Sequence, residues 1–420
     1  MSVLRSFSLP SAFDVKAVWM RLCASAAKLR PAMPVERPPL EQAVAHLTAG
    51  TFRKALDILH PLARAGAPAP QRLLGLMYLN GQGVLPNAAE AAYWLRQAAE
   101  RGDETAQHQL ALVYAIGPEN LAGRSALGKW YADMITDGSA LTSVDAGGLF
   151  PNGVTVAQDY AAAAAWAAKA AEAGHADAQT NYGLLLMTGR GVARDLPAAA
   201  EWLRRAADAG HARAKAHLGA LLASGEIGAP DWDAGYALLT EAADAADARA
   251  QTILGRWLVL GAGERTPDPA RGVGLIALAA AHNMPEAQYL MGACTADGVG
   301  VPQDYRRAET WWRRACARDY VPAMLALGKL YGSGALGLRN HLAAAPLLRR
   351  AAEAGLYEAQ LIYGRYVLTG AGDVAPSVDE AREWFERAAA QRETEEVRWE
   401  LERVSALATA TSSTRFSQRI

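Results

Sequence analysis

The 420-residue sequence has few cysteines, almost no excess charge and no long apolar run. Its three cysteines, Cys23, Cys294 and Cys316, are too few for a disulfide framework and fit a reducing compartment. The 42 basic and 43 acidic residues are interspersed, so the composition predicts neither a nucleic-acid-binding protein nor one drawn to anionic lipid. No segment reaches the ~18 uninterrupted apolar residues of a membrane-spanning helix.

Runs of alternating β-branched residues are nearly absent as well, whereas alanine is abundant and Gly and Pro recur at loop positions. This pattern predicts an all-α fold without a sheet. No grouping of Ser, His, Cys and acidic residues indicates nucleophilic catalysis, and no histidine or cysteine lies at metal-ligand spacing from another. We therefore expect a protein that is not an enzyme and that needs no cofactor or metal.

Residues 1–38 are predicted to form a leader. Residues 9–29 are interrupted by Asp14, Lys16 and Arg21 and lack a clean apolar core before a cleavage site, which disfavours a signal peptide. A cytoplasmic location is therefore expected, with a periplasmic one left open. The same stretch carries apolar residues at helical spacing, so it is either an amphipathic anchor for a membrane or partner, or a capping or loosely ordered segment. Four prolines between positions 31 and 39 separate it from the remaining chain.

From residue 39 to residue 392 the chain repeats with a period of about 36 residues, which indicates a solenoid of stacked helix pairs. A glycine marks the first half of each unit, and a large apolar residue, which we predict to lie in the core, marks the second half. Pairs of small residues such as Ala98-Ala99 follow the large residue and allow helices to approach closely. The glycines are Gly75, Gly147, Gly183, Gly219, Gly255, Gly292, Gly328 and Gly364, and the large residues are Trp94, Trp130, Trp166, Trp202, Leu238, Leu275, Trp311, Leu347 and Trp384.

Three parts of the array depart from this pattern. Residues 40–66 form a shortened first pair that turns at Ala49-Gly50. Residues 139–156 keep the phase of the repeat but are rich in Gly, so we predict a degenerate first helix that acts as a hinge. Residues 393–407 are expected to form a helix that caps the last repeat with Val397, Leu401 and Val404, followed from residue 408 by a disordered tail.

Two units carry a specific resemblance to a known family. Ala178-Gln179-Thr180-Asn181-Tyr182-Gly183 is followed by Gly189-Arg190-Gly191-Val192 and by residues 200–207, and residues 286–320 repeat the same pattern around Trp311. Over residues 40–392 the chain resembles the Sel-1-like repeat family, which is related to tetratricopeptide repeats. The resemblance implies a right-handed α-solenoid of antiparallel helix pairs with a concave surface, and adaptor or scaffold roles without catalysis by the repeat. Cys316 matches a cysteine of a disulfide-bonded secreted subclass, but Met324 stands where its partner would be, which disfavours that subclass.

Two recurring motifs have structural explanations. The Gly-x-Gly pairs, such as Gly189-x-Gly191 and Gly298-x-Gly300, resemble phosphate-binding loops, but they follow a helix and recur, so they are expected to end helices. His175 and His211 lie 36 residues apart at the entry to successive helices and are expected at turns. Cys294 and Cys316 fall on the two helices of one repeat; a bridge is conceivable, but we expect buried thiols.

The resemblance also indicates a partner-binding surface. In tetratricopeptide-like hairpins the first helix of each pair lines the groove, and the residue after the repeated glycine points into it. The carboxy-terminal half offers a basic column there, and the amino-terminal half offers apolar residues, so the predicted ligand is a protein or peptide with an acidic and an apolar end. The alternative is that these are ordinary solvated charges. The candidates are Arg249, Arg256, Tyr289, Lys329 and Arg365, with Leu76, Leu184 and Met187.

The predicted function is a non-enzymatic scaffold or adaptor for protein partners. The alternative is a regulatory subunit of a signalling or envelope-biogenesis complex, held peripherally at a membrane by the leader. Binding of nucleic acid is not expected.

Overall fold

The computed structural model describes residues 38–116, 156–263 and 265–417, and every regular element in these ranges is an α-helix. Nearly all helices are 13 residues long, because the repeat places a helix-ending glycine or cap at fixed intervals. The first helices of the pairs are α1 (Pro39–Thr48), α3 (Pro68–Asn80), α5 (Glu104–Ile116), α7 (Ala176–Thr188), α9 (Ala212–Ser224), α11 (Ala248–Leu260), α13 (Pro285–Asp297), α15 (Val321–Ser333) and α17 (Tyr357–Thr369). The second helices are α2 (Phe52–Arg64), α4 (Ala88–Glu100), α6 (Tyr160–Glu172), α8 (Leu196–Asp208), α10 (Trp232–Asp244), α12 (Pro269–Ala281), α14 (Tyr305–Cys316), α16 (His341–Glu353) and α18 (Val378–Gln391), and α19 (Glu395–Ser417) follows.

The chain divides into two compact units, one comprising Met1–Leu221 and Glu226–Ala229 and the other Leu222–Gly225 and Pro230–Ile420. Consecutive helices pack against one another from α1 to α8 in the first unit and from α10 to α19 in the second. Each unit is thus an α-solenoid of stacked antiparallel pairs, as the 36-residue period predicts. The shortened first pair is confirmed as well, because α1 has 10 residues and Gly50 turns the chain with a φ of 70°.

A capping side chain fixes the start of each second helix from α4 to α18. In α8, for example, the Asp195 side chain accepts a hydrogen bond from the backbone N–H of Ala198 at 2.9 Å, while its own N–H donates to the Leu186 carbonyl of α7 at 3.0 Å. The carboxylate satisfies an orphan N–H at the helix start, and the backbone bond ties the helix to its partner. The equivalent caps are Asn87, Asp159, Asp231, Asp268, Asp304, Asn340 and Ser377.

The side chain that packs against the repeated glycine belongs to the residue after the predicted core position, so the core position is shifted by one residue from the predicted one. A methyl group at Gly75 would lie 2.8 Å from Leu95 Cγ, and Gly292 is covered in the same way by Trp312. Trp94, Trp166, Trp202 and Trp311 are only half-buried, and Trp384 alone of the described tryptophans at this position is buried. One position along a helix turns a side chain by about 100°, which carries the tryptophan out of the interface between the two helices.

The two glycines of a Gly-x-Gly pair have different roles: the first ends a helix, as expected, and the second contacts the preceding repeat. Gly189 ends α7 with a φ of 65°, and its N–H donates to the Leu185 carbonyl. Gly191 has a φ of 69° and lies so close to the preceding second helix that a Cβ there would overlap the carbonyl oxygen of Tyr160. The motif therefore joins one repeat to the previous one.

A buried glutamine in the first helix makes a second link between repeats, which the sequence analysis did not identify. Its amide donates to the backbone carbonyl eight residues earlier, at the end of the preceding second helix, over 2.9 to 3.4 Å. The acceptor is usually the second member of the small pair, so this carbonyl is satisfied away from water. These glutamines are Gln71, Gln107, Gln179, Gln251, Gln288 and Gln360.

The pairing of α5 with α6 corrects the interpretation of residues 139–156. The N–H of Asp159 donates to the Tyr114 carbonyl at 2.9 Å, the same bond that closes every other pair, and the two helices pack directly. These partners are 45 residues apart in sequence, whereas Asp195 and Leu186 are 9 apart. The first helix that pairs with α6 is therefore α5 and not the degenerate helix predicted at 139–156. Residues 139–155 of the predicted hinge, like Trp130 and Gly147, lie outside the described residues.

The carboxy-terminal helix caps the last pair, with Val397 and Val404 fully buried and Leu401 partly buried. Its predicted end is wrong, because α19 continues to Ser417 where disorder was expected from residue 408. No Gly or Pro interrupts this stretch, and the Thr409 hydroxyl bonds back to the carbonyls of Ser405 and Ala406. Residues 1–37, which include most of the predicted leader, lie outside the described residues. Across the described helices, none is long and apolar enough to cross a membrane.

Candidate partner-binding surface

The predicted site residues of the second unit lie on successive first helices. Arg256 on α11 and Lys329 on α15 are exposed, and Arg365 on α17 is partly exposed. Each follows the repeated glycine, so they occupy one repeat position, as predicted from the resemblance. We call Arg256, Lys329 and Arg365 the first-helix surface.

An acidic residue of the next repeat pairs with each of these three cations. Arg256 Nη1 lies 3.4 Å from Glu286 Oε1, and Lys329 Nζ lies 2.6 Å from Glu358 Oε1. Arg365 makes two ion pairs, to Glu396 at 2.6 Å and to Glu400 at 2.5 Å. The first-helix surface is therefore a ladder of ion pairs between repeats and not an uncompensated basic column.

Two tyrosines lie beside the first rung of this ladder. The rings of Tyr289 and Tyr320 are 5.6 Å apart, and the Tyr289 carbonyl accepts a hydrogen bond from the indole of Trp312 at 3.1 Å. Burial, with smaller contributions from Glu286 and Tyr289, raises the pKa of Tyr320, so its hydroxyl stays protonated. Tyr289 is half-buried. The predicted residue Arg249, also half-buried, is engaged in an interaction of its own.

The apolar residues predicted for the first unit are not equally accessible. Leu184 is only 7% exposed, which is too little for it to contact a partner, and this part of the prediction is wrong. The physical reason is that α7 is packed on several sides, so four consecutive residues from Gly183 are buried. Leu76 and Met187 keep part of their surface. They belong to the first unit, whereas the cations belong to the second.

Histidines form a separate cluster in the first unit. His108 is buried, its ring stacks on that of His175 with centroids 4.7 Å apart, and its Nδ1 has no hydrogen-bond partner. His211 Nε2 lies 2.8 Å from Asp177 Oδ1. The predicted turn role is confirmed, because the Nδ1 atoms of His175 and His211 accept from the N–H groups of Ala178 and Ala214 at the helix starts. Over the described ranges, no three His, Cys, Asp or Glu side chains are placed to hold a metal ion.

The two described cysteines are free thiols. Cys294 is buried, as expected, and Cys316 is half-buried. Burial raises the pKa of both, for Cys316 to about 11, so neither is a thiolate at neutral pH.

Comparison with known families identifies the repeat. A model described as "Sel1 repeat" matches residues 71–103, 149–175, 176–211, 248–284, 285–320, 321–356 and 358–392, which together are more than half of the chain. The chain belongs to the Sel1 repeat family. Sel1 repeat proteins generally mediate protein–protein interactions and are typically non-enzymatic.

The chain is also similar to solved structures and to part of a curated protein. A protective antigen, c5321, of uropathogenic Escherichia coli displays the same fold, with 23% identity and a TM-score of 0.54 over 88% of this chain and 79% of that one. A Sel1 repeat protein from Oxalobacter formigenes is 25% identical, with a TM-score of 0.49 over 90% and 98% of the two chains. "Chitin synthase regulatory factor 3" of Schizosaccharomyces pombe is 33% identical over 126 residues, which are 29% of this chain and 13% of that protein.

The acids of this ladder belong to the candidate surface, and sequence reasoning missed them. Glu286, Glu358 and Glu396 lie 30, 29 and 31 residues after the cations with which they pair. A signal for them exists in the sequence, because alignment of the repeats shows that each acid stands in the first turn of the next first helix. Arg365 differs in having Glu400, which is 1% exposed, as a second partner. The carboxy-terminal end of the ladder is consequently the most firmly held.

Proposed function

We propose that this chain is a non-enzymatic adaptor that binds a protein partner on its first-helix surface. The observation that carries the proposal is the recurrence of one accessible, charged position on α11, α15 and α17 of the same unit. Side chains at this position add little to the apolar core, so their chemistry is available for recognition. Repetition along a stack lets several weak contacts act on one partner segment.

The ion pairs determine which side chains of a partner this surface can bind. A guanidinium that holds one carboxylate keeps N–H donors for a second, so Arg256 and Arg365 can still accept an acidic side chain of a partner. The ladder glutamates add acceptors, which favours a segment that carries donors as well. The half-buried ring of Tyr289 offers an aromatic contact between them. We propose an extended segment with an acidic residue and mixed polarity.

Affinity purification from the native host tests the proposal. Arg256→Gln with Lys329→Gln removes two cations whose ion pairs are well exposed, so the fold should be retained. Arg194→Gln with Arg398→Gln is the matched control, because it removes two equally exposed paired cations that lie outside this repeat position. Mass spectrometry should show partners that the wild type and the control recover and that the first variant loses. Recovery of the same proteins by all three chains would reject the first-helix surface.

A regulatory role within a larger complex is the second candidate. It is favoured by the similarity to a protein that is named a regulatory factor, although the match covers only 13% of that protein. In this version the leader would hold the complex at a membrane, whereas the cysteine content favours a cytoplasmic adaptor. Fractionation of the full chain and of a variant that lacks residues 1–38 separates the two. Membrane association that depends on the leader supports the regulatory role, and its absence supports the cytoplasmic adaptor.

A further inference from the structure

The second helix α14 is the most basic element of the second unit. It carries Arg306, Arg307, Arg313 and Arg314 and only one acid, Glu309. Helix α10 of the same unit has three acids and no base, and α18 has four acids and two arginines. Because the whole chain is nearly neutral, the charge on α14 is a local feature and not a consequence of composition. We call these four residues the arginine face.

Three of these guanidinium groups are uncompensated. No carboxylate of the described residues makes an ion pair with Arg306, Arg307 or Arg314, in contrast to every cation of the first-helix surface. Arg314 stacks on the ring of Trp311 at 4.8 Å. Stacking orients the guanidinium but leaves its edge free, and this edge can bind both oxygens of a carboxylate.

Arg313, the fourth residue of the arginine face, is held in place by its own hydrogen bonds. Its Nε and Nη2 donate to the Tyr331 hydroxyl at 2.9 and 2.8 Å, and that hydroxyl donates to Glu309 at 2.8 Å. Glu309 also accepts directly from Arg313 at 2.9 Å. The one acid of the helix is thereby neutralised from within, so it does not repel an anionic ligand of the neighbouring arginines.

An open depression of about 440 Å³ lies along this side of α14. Arg306 and Arg313, which are two helical turns or about 10 Å apart, line it together with Glu309, Thr310 and Leu336. A lining that combines arginines with the apolar side chain of Leu336 fits a segment in which acidic residues alternate with an apolar one. A simple anion would leave Leu336 unused.

We propose that the arginine face binds an acidic segment of a partner protein. One carboxylate lies on Arg306 and an apolar side chain on Leu336 within the depression, and further carboxylates of the segment bind Arg307 and Arg314 on the adjoining side of the same helix. This surface is carried by second helix α14 and shares no residue with the first-helix surface. The proposal therefore stands or falls independently of the proposed function.

Fluorescence anisotropy with the full chain tests the proposal. The probe is a fluorescein-labelled peptide of four Glu-Glu-Leu repeats, and its Gln-Gln-Leu counterpart measures binding without charge. The test variant is Arg306→Gln with Arg307→Gln and Arg314→Gln, which breaks no ion pair of the described residues. The control is Arg382→Gln with Arg387→Gln and Arg398→Gln, which removes the same charge elsewhere in the unit and includes Arg387, stacked on Trp384 as Arg314 is on Trp311.

The wild type should bind the acidic peptide at least about tenfold more tightly than the glutamine peptide, and the test variant should lose about tenfold in affinity while the control loses less than about twofold. Added salt should weaken the binding. Equal losses in the two variants would show a bulk charge effect and overturn the proposal. Tighter binding of oligouridylate than of the peptide, lost in the same test variant, would assign the face to nucleic acid and overturn it as well.

Discussion

Acidification should destabilise the first unit, chiefly through the buried side chain of His108. This side chain is 6% exposed on α5 and stacks on His175. Burial lowers its pKa from 6.5 to about 3, with smaller contributions from His175, Arg213 and His211 that Asp177 partly offsets. The folded protein thus binds a proton at His108 more weakly than the unfolded chain does.

The sign and size of the effect follow from linkage. Because the folded pKa lies below the unfolded value, folding is favoured fully above pH 6.5 and loses stability as the pH falls through the interval between 6.5 and about 3. Each pH unit in this interval costs about 1.4 kcal/mol, so at about pH 5 His108 alone removes ~2 kcal/mol. Asp177, whose pKa is lowered chiefly by its hydrogen bond from His211, loses stability only below its ordinary pKa of 3.8.

Hydrogen exchange of the α5 amides, measured by mass spectrometry, is the appropriate assay, because solenoids can open locally. Between about pH 7.5 and pH 5 the opening free energy of residues 104–116 should fall by ~2 kcal/mol more in the wild type than in His108→Gln. The exposed His282 provides the control variant His282→Gln, which should behave as the wild type does. The same pH dependence in His108→Gln and in the wild type would refute the assignment.

Two further substitutions test the packing between and within repeats. Gly191→Ala should lower the thermal midpoint of unfolding far more than Gly210→Ala. Both glycines have a positive φ, which costs Ala about 1 kcal/mol, but only at Gly191 would the new Cβ overlap the Tyr160 carbonyl. Equal shifts of the midpoint would contradict the close contact at Gly191. In urea denaturation, Trp312→Ala should lower the free energy of unfolding by about 3–5 kcal/mol and Trp311→Ala by about 1–2 kcal/mol, because only Trp312 covers Gly292. The opposite order would mean that Trp311 is the core residue, as the sequence predicts.

The sequence predicts helices, pairs and turns well because each of these depends on local chemistry that recurs. Most repeats carry a glycine at a left-handed helix end and an Asp, Asn or Ser cap nine or ten residues after a first-helix carbonyl. The core position was misassigned because tryptophan is conspicuous, while the relevant signal is a glycine opposite a large residue. Trp311 and Trp312 in one repeat show the difference directly, since only the second faces Gly292.

The interval between α5 and α6 shows why phase alone does not define repeats. An intervening segment as long as one period leaves every later landmark in phase, so Trp166 still follows Trp130 by 36 residues although α6 pairs with α5. Periodicity reports distance along the chain, and only the hydrogen bond from Asp159 to Tyr114 reports which helices are partners. Long-range pairing is a tertiary property that an unaligned single sequence does not contain.

Ion pairs between repeats are also hard to recognise in a single sequence, but the repeat period shows where their partners lie. Arg256 and Lys329 looked available because their helices carry no nearby acid, yet each is paired across the repeat by a glutamate about 30 residues later. In a solenoid, the charged neighbours of a residue must be sought one period away as well as one turn away. In α14, Arg306, Arg307 and Arg314 have no ion-pair partner among the described residues, either one turn away or one period away. An unpaired cation loses less free energy on binding an acidic partner, because no existing ion pair has to be broken. An acidic segment that binds Arg306, Arg307 and Arg314 therefore displaces no carboxylate of the described residues, whereas one that binds the first-helix surface must share Arg256 or Arg365 with a glutamate.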